Sequence, residues 1–183
     1  MDLGLSGKTA LITGSTSGIG FAIARRLGVE GCIVVICGRD AAKLEAALGE
    51  LRQSGITAYG FTADMQEPSQ VSDLVRRTLG VLPRIDIVVS NAGTHVQGLV
   101  EDVTVEQLEK QLRTKVLGPW ELARQVAPHM KKQGGGRFIL IIGQAGKVPG
   151  INVIASAISN AAQHAFVKSL SDDLGRYNVL VNA

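Results

Sequence analysis

The amino-acid sequence predicts a doubly wound α/β fold, in which helices cover both faces of a parallel β-sheet. Short apolar runs alternate with longer amphipathic stretches along all 183 residues. Several runs are apolar at every position, as at residues 33–36, and such strands are typical of a sheet that is buried on both faces. Since no linker or repeat interrupts the alternation, we expect a single domain that spans residues 1–183.

The apolar runs predict six strands, at residues 9–13, 32–37, 57–62, 85–90, 137–142 and 179–183. Between them, apolar side chains recur at helical spacing, as three stripes show. The stripes are Ile19, Ala22, Ile23 and Leu27; Val116, Trp120, Ala123, Ala127 and Met130; and Ile154, Ile158, Ala161, Ala165 and Leu170. Asp40 is placed to cap a helix that buries Leu44, Ala47, Leu48 and Leu51. Pro68 suits a first helical position, and Thr104 with Gln107 forms a capping box.

Composition narrows the possible partners and location. Hydrophobic residues make up 45% of the chain and the net charge is only +3, with scattered cations, so we expect no nucleic-acid partner. Cys32 and Cys37 are five residues apart on one strand and point to opposite faces, which excludes a disulfide between them. Free core thiols, with neither a secretory leader nor an apolar run long enough for a membrane span, predict a cytoplasmic protein.

A glycine-rich segment, residues 13–20, is the strongest local signal. It follows a predicted strand and opens a predicted helix, which is the context in which such loops bind dinucleotides. Glycines let the backbone approach a pyrophosphate, and the helix amino terminus offers free N–H groups to the anion. The segment predicts cofactor-binding residues at Gly14, Ser15, Ser17, Gly18, Ile19 and Gly20. The alternative is an ordinary glycine-rich turn.

Three motifs together resemble the short-chain dehydrogenase/reductase family. They are the Thr-Gly-x-x-x-Gly-Ile-Gly spacing of the loop, Asp64 at the end of the third strand, and Asn91-Ala92-Gly93 after the fourth. The resemblance covers essentially the whole chain and implies a Rossmann fold with a nicotinamide cofactor and a small carbonyl or alcohol substrate. It also implies that Asp64 contacts the adenine, beside Met65, and that Asn91, Ala92 and Gly93 border the cofactor.

The end of the second strand bears on the choice of cofactor. NAD-binding folds place an acid there for the ribose 2′-hydroxyl, whereas this chain has Gly38 followed by Arg39. Arg39 can pair with a 2′-phosphate, so NADP(H) is favoured over NAD(H). The alternative is that Arg39 is merely solvated and that Asp40 holds the ribose.

The resemblance implies four catalytic positions, and all four are changed. Gly143 occupies the family's Ser position, Ser156 its Tyr position, Asn160 its Lys position and Lys115 its Asn position. The chain's two tyrosines, Tyr59 and Tyr177, lie elsewhere in the sequence.

Lys and Asn have therefore exchanged places. We hypothesise that Lys115 restores a cation near the nicotinamide ribose and donates a proton directly or through water. The alternative is that Lys115 extends to solvent and the site is inactive. His95 follows Asn91-Ala92-Gly93 and is either directed into the substrate cleft or merely exposed without a partner. No spacing of His, Cys, Asp and Glu predicts a metal site.

The resemblance implies a substrate loop and a seventh strand beyond residue 183, so the sequence predicts a truncated or fragmentary domain unless a partner covers the sixth strand. Three functions stay open: an NADP(H)-dependent oxidoreductase, a nucleotide-binding pseudoenzyme or scaffold, and an inactive truncated product. The resemblance also implies a homodimer or homotetramer packed through helices that carry Ala157, Ala161 and Ala165. These alanines alternatively face the chain's own sheet.

Overall fold

A computed structural model describes residues 2–183 and contains one six-stranded sheet in the order β3-β2-β1-β4-β5-β6. All neighbouring strands pair in parallel. The strands are β1 (Thr9–Ile12), β2 (Ile33–Gly38), β3 (Ala58–Thr62), β4 (Ile87–Ser90), β5 (Gly136–Leu140) and β6 (Val179–Asn182). The doubly wound fold and all six strands are confirmed, with every boundary within two residues of its predicted place.

Six α-helices connect the strands: α1 (Gly18–Val29), α2 (Ala41–Gln53), α3 (Pro68–Val81), α4 (Val105–Leu112), α5 (Gly118–Lys132) and α6 (Ile154–Leu174). The predicted start signals are confirmed. Asp40 accepts a hydrogen bond from the Lys43 backbone N–H at 3.1 Å, and α3 begins at Pro68. Both halves of the capping box between Thr104 and Gln107 are present at the start of α4.

Alternating side chains of the strands build two cores, one on each face of the sheet. Ala10, Ile12, Val34 and Ile36 pack against α1 and α2, whereas their neighbours in sequence pack against α3, α5 and α6. The predicted inner residues of α2 are all buried: Leu44, Ala47, Leu48 and Leu51. Cys32 lies in the first core and Cys37 in the second, which confirms that the two thiols point to opposite faces.

Of the two orientations left open for the alanines of α6, the outward one holds for Ala161 and Ala165. The apolar stripe of α6 faces outward, since Ile154 and Ile158 are 38% and 44% exposed and the alanines at 161 and 165 are exposed as well. The inward face is mostly polar and carries Ser156, Ser159, Asn160 and Gln163, all buried. The reason is that much of α6 packs on the loop after β5 and on the segment between α4 and α5, which supply hydrogen-bonding groups.

Two other stripes are only partly correct. In α1, Ile23 and Leu27 pack against the core, but Ile19 is 64% exposed because it lies at the open end of the helix. In α5, Ala123 and Met130 are buried, whereas Trp120 lies outside the core and approaches Phe166 with ring centroids 5.9 Å apart.

A charged network joins α5 to α3. The carboxylate of Glu121 accepts hydrogen bonds from Ser72 Oγ at 2.8 Å, from Gln125 Nε2 at 2.7 Å and from two nitrogens of Arg124, each at 2.8 Å. The Arg124 guanidinium, helped by Gln125 and Ser72, lowers the pKa of Glu121 to about 2. Because protonation breaks these bonds, the stabilisation is fully present above the ordinary pKa of a glutamate, about 4.3, and is lost as pH falls towards about 2.

Replacing the carboxylate should therefore weaken the fold and change its response to acid. We expect Glu121→Gln to lower the free energy of unfolding at pH 7 by about 1–3 kcal/mol, since hydrogen bonds to a charged group are lost. The melting temperature, measured by circular dichroism from pH 2 to pH 7, should fall less steeply in acid than that of the wild type. Glu45→Gln, an exposed position on α2, is the matched control and should change neither quantity. If the melting temperatures of the wild type and Glu121→Gln fell equally steeply with falling pH, the role given to the Glu121 carboxylate would be contradicted.

Candidate functional site

A cleft of about 330 Å³ opens where strands β1 to β4 end. Strand β1 has β2 on one side and β4 on the other. The loops that follow β1 and β4 therefore lead to opposite halves of the sheet, and a crevice forms between them. Most of the predicted cofactor-binding residues line this cleft: Gly14, Ser17, Arg39, Asp64, Met65, Asn91, Ala92 and Gly93.

The three glycines of the loop after β1 are needed for different reasons. Gly14 has a φ of +60°, and a Cβ there would lie 2.7 Å from the Cα of Ala92. At Gly20 a Cβ would overlap the carbonyl oxygen of Gly14 and the side chain of Asn91. Gly18 also has a positive φ, +57°, but a Cβ there would have no atom within 4 Å. Gly14 and Gly20 therefore allow the loop to close on its neighbours, while Gly18 leaves open space in front of α1.

The amino terminus of α1 has free hydrogen-bond donors. Within residues 2–183, no side chain caps this helix at Ser17, although α2 and α4 are both capped. The first N–H groups of an α-helix have no partner inside the helix and lie at the positive end of its dipole. This end, where Ile19 is also exposed, is suited to a phosphate group.

Hydrogen bonds hold the two loops together beneath the cleft. Thr13 Oγ1 accepts the backbone N–H groups of Asn91 and Ala92, both at 3.1 Å. The Asn91 side chain donates to the carbonyl oxygens of Thr13 and Gly14 at 3.1 and 2.8 Å. Asn91 therefore positions the glycine-rich loop.

Ser15 differs from its prediction as a cofactor-binding residue. Its side chain is fully buried, donates to the carbonyl oxygen of Ile12 at 2.6 Å and accepts from the backbone N–H of Cys37 at 3.0 Å. Its own N–H donates to the Cys37 carbonyl oxygen. Ser15 thus ties the loop to β2 from below and offers neither group to a ligand.

The rim of the cleft at the end of β2 carries a cation. A Cβ at Gly38 would lie 2.6 Å from Thr16 Cγ2, so a side chain at this position would require Thr16 to move. Arg39 is 61% exposed and lies 3.7 Å from a carboxylate oxygen of Asp64. Asp40 uses its carboxylate to cap α2, and Asp64 also accepts the backbone N–H of Gln66 at 2.9 Å.

The cleft fits a dinucleotide in one further respect. Thr94 lines the cleft, and its buried Oγ1 has no hydrogen-bond partner among the described residues. A buried hydroxyl without a partner is costly and indicates a polar ligand atom. The uncapped helix, the open space at Gly18 and Thr94 together provide groups for the phosphates and hydroxyls of such a molecule.

The exchanged pair, Lys115 and Asn160, is in direct contact. A π-helical turn, Arg113–Leu117, lies between α4 and α5 and directs Lys115 towards α6, where its Nζ donates to Asn160 Oδ1 at 3.1 Å. The turn permits close packing at Gly118, where a Cβ would lie 2.5 Å from the Met65 carbonyl oxygen. Burial lowers the pKa of Lys115, because desolvation disfavours the ammonium.

Asn160 also explains the glycine at 143. A Cβ at Gly143 would lie 2.7 Å from Asn160 Nδ2, so the amide occupies the space into which a side chain at 143 would extend. The amide is buried, with Lys115 on its oxygen and Gly143 beside its nitrogen. The changes at 115, 143 and 160 therefore form one fitted arrangement.

Ser156 belongs to a second hydrogen-bonded group. Its buried Oγ lies 3.2 Å from Nδ1 of His95 and accepts from Gln111 Nε2 at 3.1 Å. Gln111 also donates to Ser159 Oγ at 3.0 Å and accepts the Val96 N–H at 3.0 Å. The expectation that an exposed His95 has no partner is thus wrong.

Gln111 was not among the predicted site residues, although it is fully buried. A signal for it was present. Gln111 lies four residues before Lys115, so both belong to one helix face, and a buried glutamine requires polar partners.

The remaining candidates lie outside the cleft or are not found. Tyr59 belongs to β3, and Tyr177 follows α6, where Lys131 and Arg176 lie over its ring. Among residues 2–183, no three His, Cys, Asp or Glu residues are grouped as metal ligands. In that same part of the chain, no helix is both long and apolar enough to cross a membrane.

Comparison with known proteins places this geometry in a family. The family model described as short chain dehydrogenase matches residues 8–183. Dehydrogenase/reductase SDR family member 4 from Homo sapiens is 34% identical over 179 residues, which cover 97% of this chain and 64% of that protein. The chain thus spans slightly less than two thirds of the length of this relative.

Solved structures agree. The L-sorbose reductase from Gluconobacter frateurii, complexed with NADPH and L-sorbose, superposes with a TM-score of 0.96 at 31% identity, over 100% of this chain and 70% of that one. A 7α-hydroxysteroid dehydrogenase complexed with NADH and 7-oxo glycochenodeoxycholic acid has a TM-score of 0.92 at 31% identity, over 96% and 68% of the two chains. On its fold, its glycine-rich cleft and its sequence, this chain is a member of the short-chain dehydrogenase family.

Proposed function

We propose that the chain is an NADP(H)-dependent oxidoreductase that acts on a carbonyl/alcohol pair. The observation that carries the proposal is the cleft itself, which is bordered both by the uncapped start of α1 and by Arg39. When bound, the nicotinamide supplies or accepts a hydride, so the chain's own residues have to bind the nucleotide, orient the substrate oxygen and move one proton.

The preference for NADP(H) depends on the rim. Asp64 marks the adenosine end of the cleft in the family resemblance, and Arg39 lies 3.7 Å from it. The exposed guanidinium of Arg39 is therefore placed to bind a 2′-phosphate there. The alternative, in which Asp40 holds an unphosphorylated ribose, is weakened because that carboxylate already caps α2. The reductase named above was solved with NADPH and the dehydrogenase with NADH, so the family alone does not select the cofactor.

Lys115 takes the role of the site's cation in this proposal. Its ammonium is held by Asn160, and its side chain passes near Gly93, 3.5 Å from the place a Cβ would take there. A partly buried ammonium at this position suits a ribose hydroxyl.

A second candidate function is nucleotide binding without turnover, as a pseudoenzyme or scaffold. The observation that favours it is Ser156, which is only 3% exposed and has no phenolic acidity in the position where the family carries its tyrosine. Under this alternative the polar groups of α6 only stabilise the fold. An inactive truncated product is the limiting case of the same alternative.

We further infer that a second copy of the chain packs on the outer face of α5 and α6, as a homodimer or homotetramer. A groove of about 250 Å³ lies there, lined by Trp120, Phe166 and Leu170 among others. Trp120 is 57% exposed, and the outward stripe of α6 continues the apolar surface.

The unpaired thiols Cys32 and Cys37 fit a reducing compartment such as the cytoplasm.

The first prediction from the proposed function concerns the cofactor. In parallel titrations that follow nicotinamide fluorescence, NADPH should bind more tightly than NADH. Arg39→Ala should weaken NADPH binding by about 10- to 100-fold, because a charge-assisted pair with phosphate is lost, and should leave NADH binding nearly unchanged. Arg76→Ala, an exposed arginine on α3, is the control. If Arg39→Ala lost affinity equally for NADPH and NADH, the role of Arg39 would be contradicted. If the wild type bound neither cofactor, the assignment of the cleft as a nucleotide site would be contradicted.

The second prediction concerns Lys115. We expect Lys115→Met, which keeps much of the apolar stem but removes the ammonium, to lower kcat/KM for NADPH-dependent carbonyl reduction by about 100-fold. Lys110→Met, on an exposed position five residues earlier, should have no effect. Unchanged reduction in Lys115→Met and Lys115→Ala would refute the role.

The third prediction concerns assembly. Sedimentation velocity should show the wild type as a dimer or tetramer. Trp120→Glu should shift it to the monomer, because a charge would be buried in the proposed interface. Val29→Glu, at another exposed apolar position, should not. A monomeric wild type would exclude this interface.

A further inference from the structure

The structure assigns proton exchange with the substrate oxygen to the imidazole of His95, which Ser156 holds in place. This inference rests on the proposed oxidoreductase function and specifies which side chain moves the proton. Its starting point is that Ser156, in the position of the family's tyrosine, has its hydroxyl 3.2 Å from His95 Nδ1.

A chain of hydrogen bonds defines which ring nitrogen carries the proton. The Val96 N–H can only donate, so the end of the Gln111 amide that faces it must be the oxygen. The other end, Nε2, therefore faces Ser156 and Ser159 and donates to them. Ser156 Oγ accepts from this amide with one lone pair and can accept from His95 Nδ1–H with the other. In this arrangement the neutral ring carries its proton on Nδ1, and Nε2, turned away from Ser156, is the nitrogen that exchanges a proton with the substrate oxygen.

His95 is placed to make this exchange. It is exposed and lies two residues after Gly93 and next to Thr94, both of which line the cleft. The groups that hydrogen-bond with the pair, Gln111 and Ser159, are uncharged. Lys115, the cation of the proposed site, donates to Asn160 and passes beside Gly93.

An imidazole also accounts for the missing lysine at 160. A phenol has a pKa of about 10 and needs a neighbouring cation to exchange protons near neutral pH, whereas an imidazole serves as a general acid or base in enzymes without one. A site that uses His95 therefore does not need an ammonium on α6. Position 160 is then free to carry the amide that holds Lys115.

The reaction balances with the groups named. Reduction of a carbonyl takes up one hydride at carbon, supplied by the nicotinamide, and one proton at oxygen. The proton comes from Nε2 of the His95 imidazolium, whose N–H bond breaks as the O–H bond of the alcohol forms. The ring is left neutral with its remaining proton on Nδ1, which faces Ser156 Oγ, and Nε2 takes up its next proton from solvent, to which the ring is exposed. Oxidation of an alcohol runs these steps in reverse.

The first test does not depend on turnover. Two-bond ¹⁵N–¹H correlation spectra of the labelled protein should show neutral His95 as the Nδ1–H tautomer. In Ser156→Ala the ring should populate both tautomers, because the acceptor for Nδ1–H is removed. A wild-type neutral ring protonated on Nε2 would overturn the proposal.

The second test measures the reaction itself, with NADPH and the probes 2,3-butanedione and ethyl acetoacetate. His95→Gln keeps a polar side chain but cannot transfer a proton, so kcat should fall by about 100-fold or more while the affinity for NADPH stays the same. Imidazole added to His95→Ala should restore part of the rate. His129→Gln, an exposed histidine on α5, is the control and should behave as the wild type.

The outcomes separate this inference from the proposed function. If the wild type binds NADPH but reduces neither probe, the oxidoreductase proposal fails for these carbonyls and the inference fails with it. If the wild type is active and His95→Gln is equally active, only the role of His95 fails. If Lys115→Met alone loses the rate while His95→Gln keeps it, the proton comes from Lys115.

Discussion

The close approach of the loops after β1 and β4 is the constraint on which the nucleotide cleft depends. Thr13 and Asn91 each bond to the opposite loop, and Gly14 lies so near Ala92 that no side chain fits between them. This contact curves the chain sharply before α1, so that the first turn of the helix faces the cleft without a cap. Ser15 secures the same loop to β2 from below. The geometry of this cleft is therefore a property of the assembled sheet edge.

The changed catalytic positions are coupled to one another. Asn160 fills the space beside Gly143 and holds Lys115, while Ser156 meets His95 and Gln111. Independent loss of catalytic residues would be expected to leave cavities or buried polar groups without partners. Here Ser156 Oγ, Asn160 Oδ1 and both ends of the Gln111 amide have hydrogen-bond partners, although Gln163 Oε1 on the same face of α6 has none among the described residues. The site is thus a rearranged polar network, and this coherence is what the activity proposals build on.

Helix α6 shows how this network reverses a simple pattern. A helix on the surface of a sheet normally buries its apolar stripe. The inner face of α6 instead meets the π-helical turn, α4 and the loop after β5, where hydrogen-bonding groups converge, so its serines, asparagine and glutamine point inward. Its isoleucines and two of its alanines are left outside. The polar site and the apolar outer surface are therefore two faces of one helix.

The sequence by itself determined the strands, the helix starts at Asp40, Pro68 and Thr104, and the glycine-rich loop, because each depends on neighbours within a few residues. It also indicated Lys115 and Asn160 as an exchanged pair. Only the tertiary structure decided that Ser15 points inward, that His95 meets Ser156, that Gln111 joins them and that the stripe of α6 faces out. The physical reason is that these contacts join residues far apart in sequence, and hydrophobic periodicity does not register a buried face made of hydrogen-bonding groups.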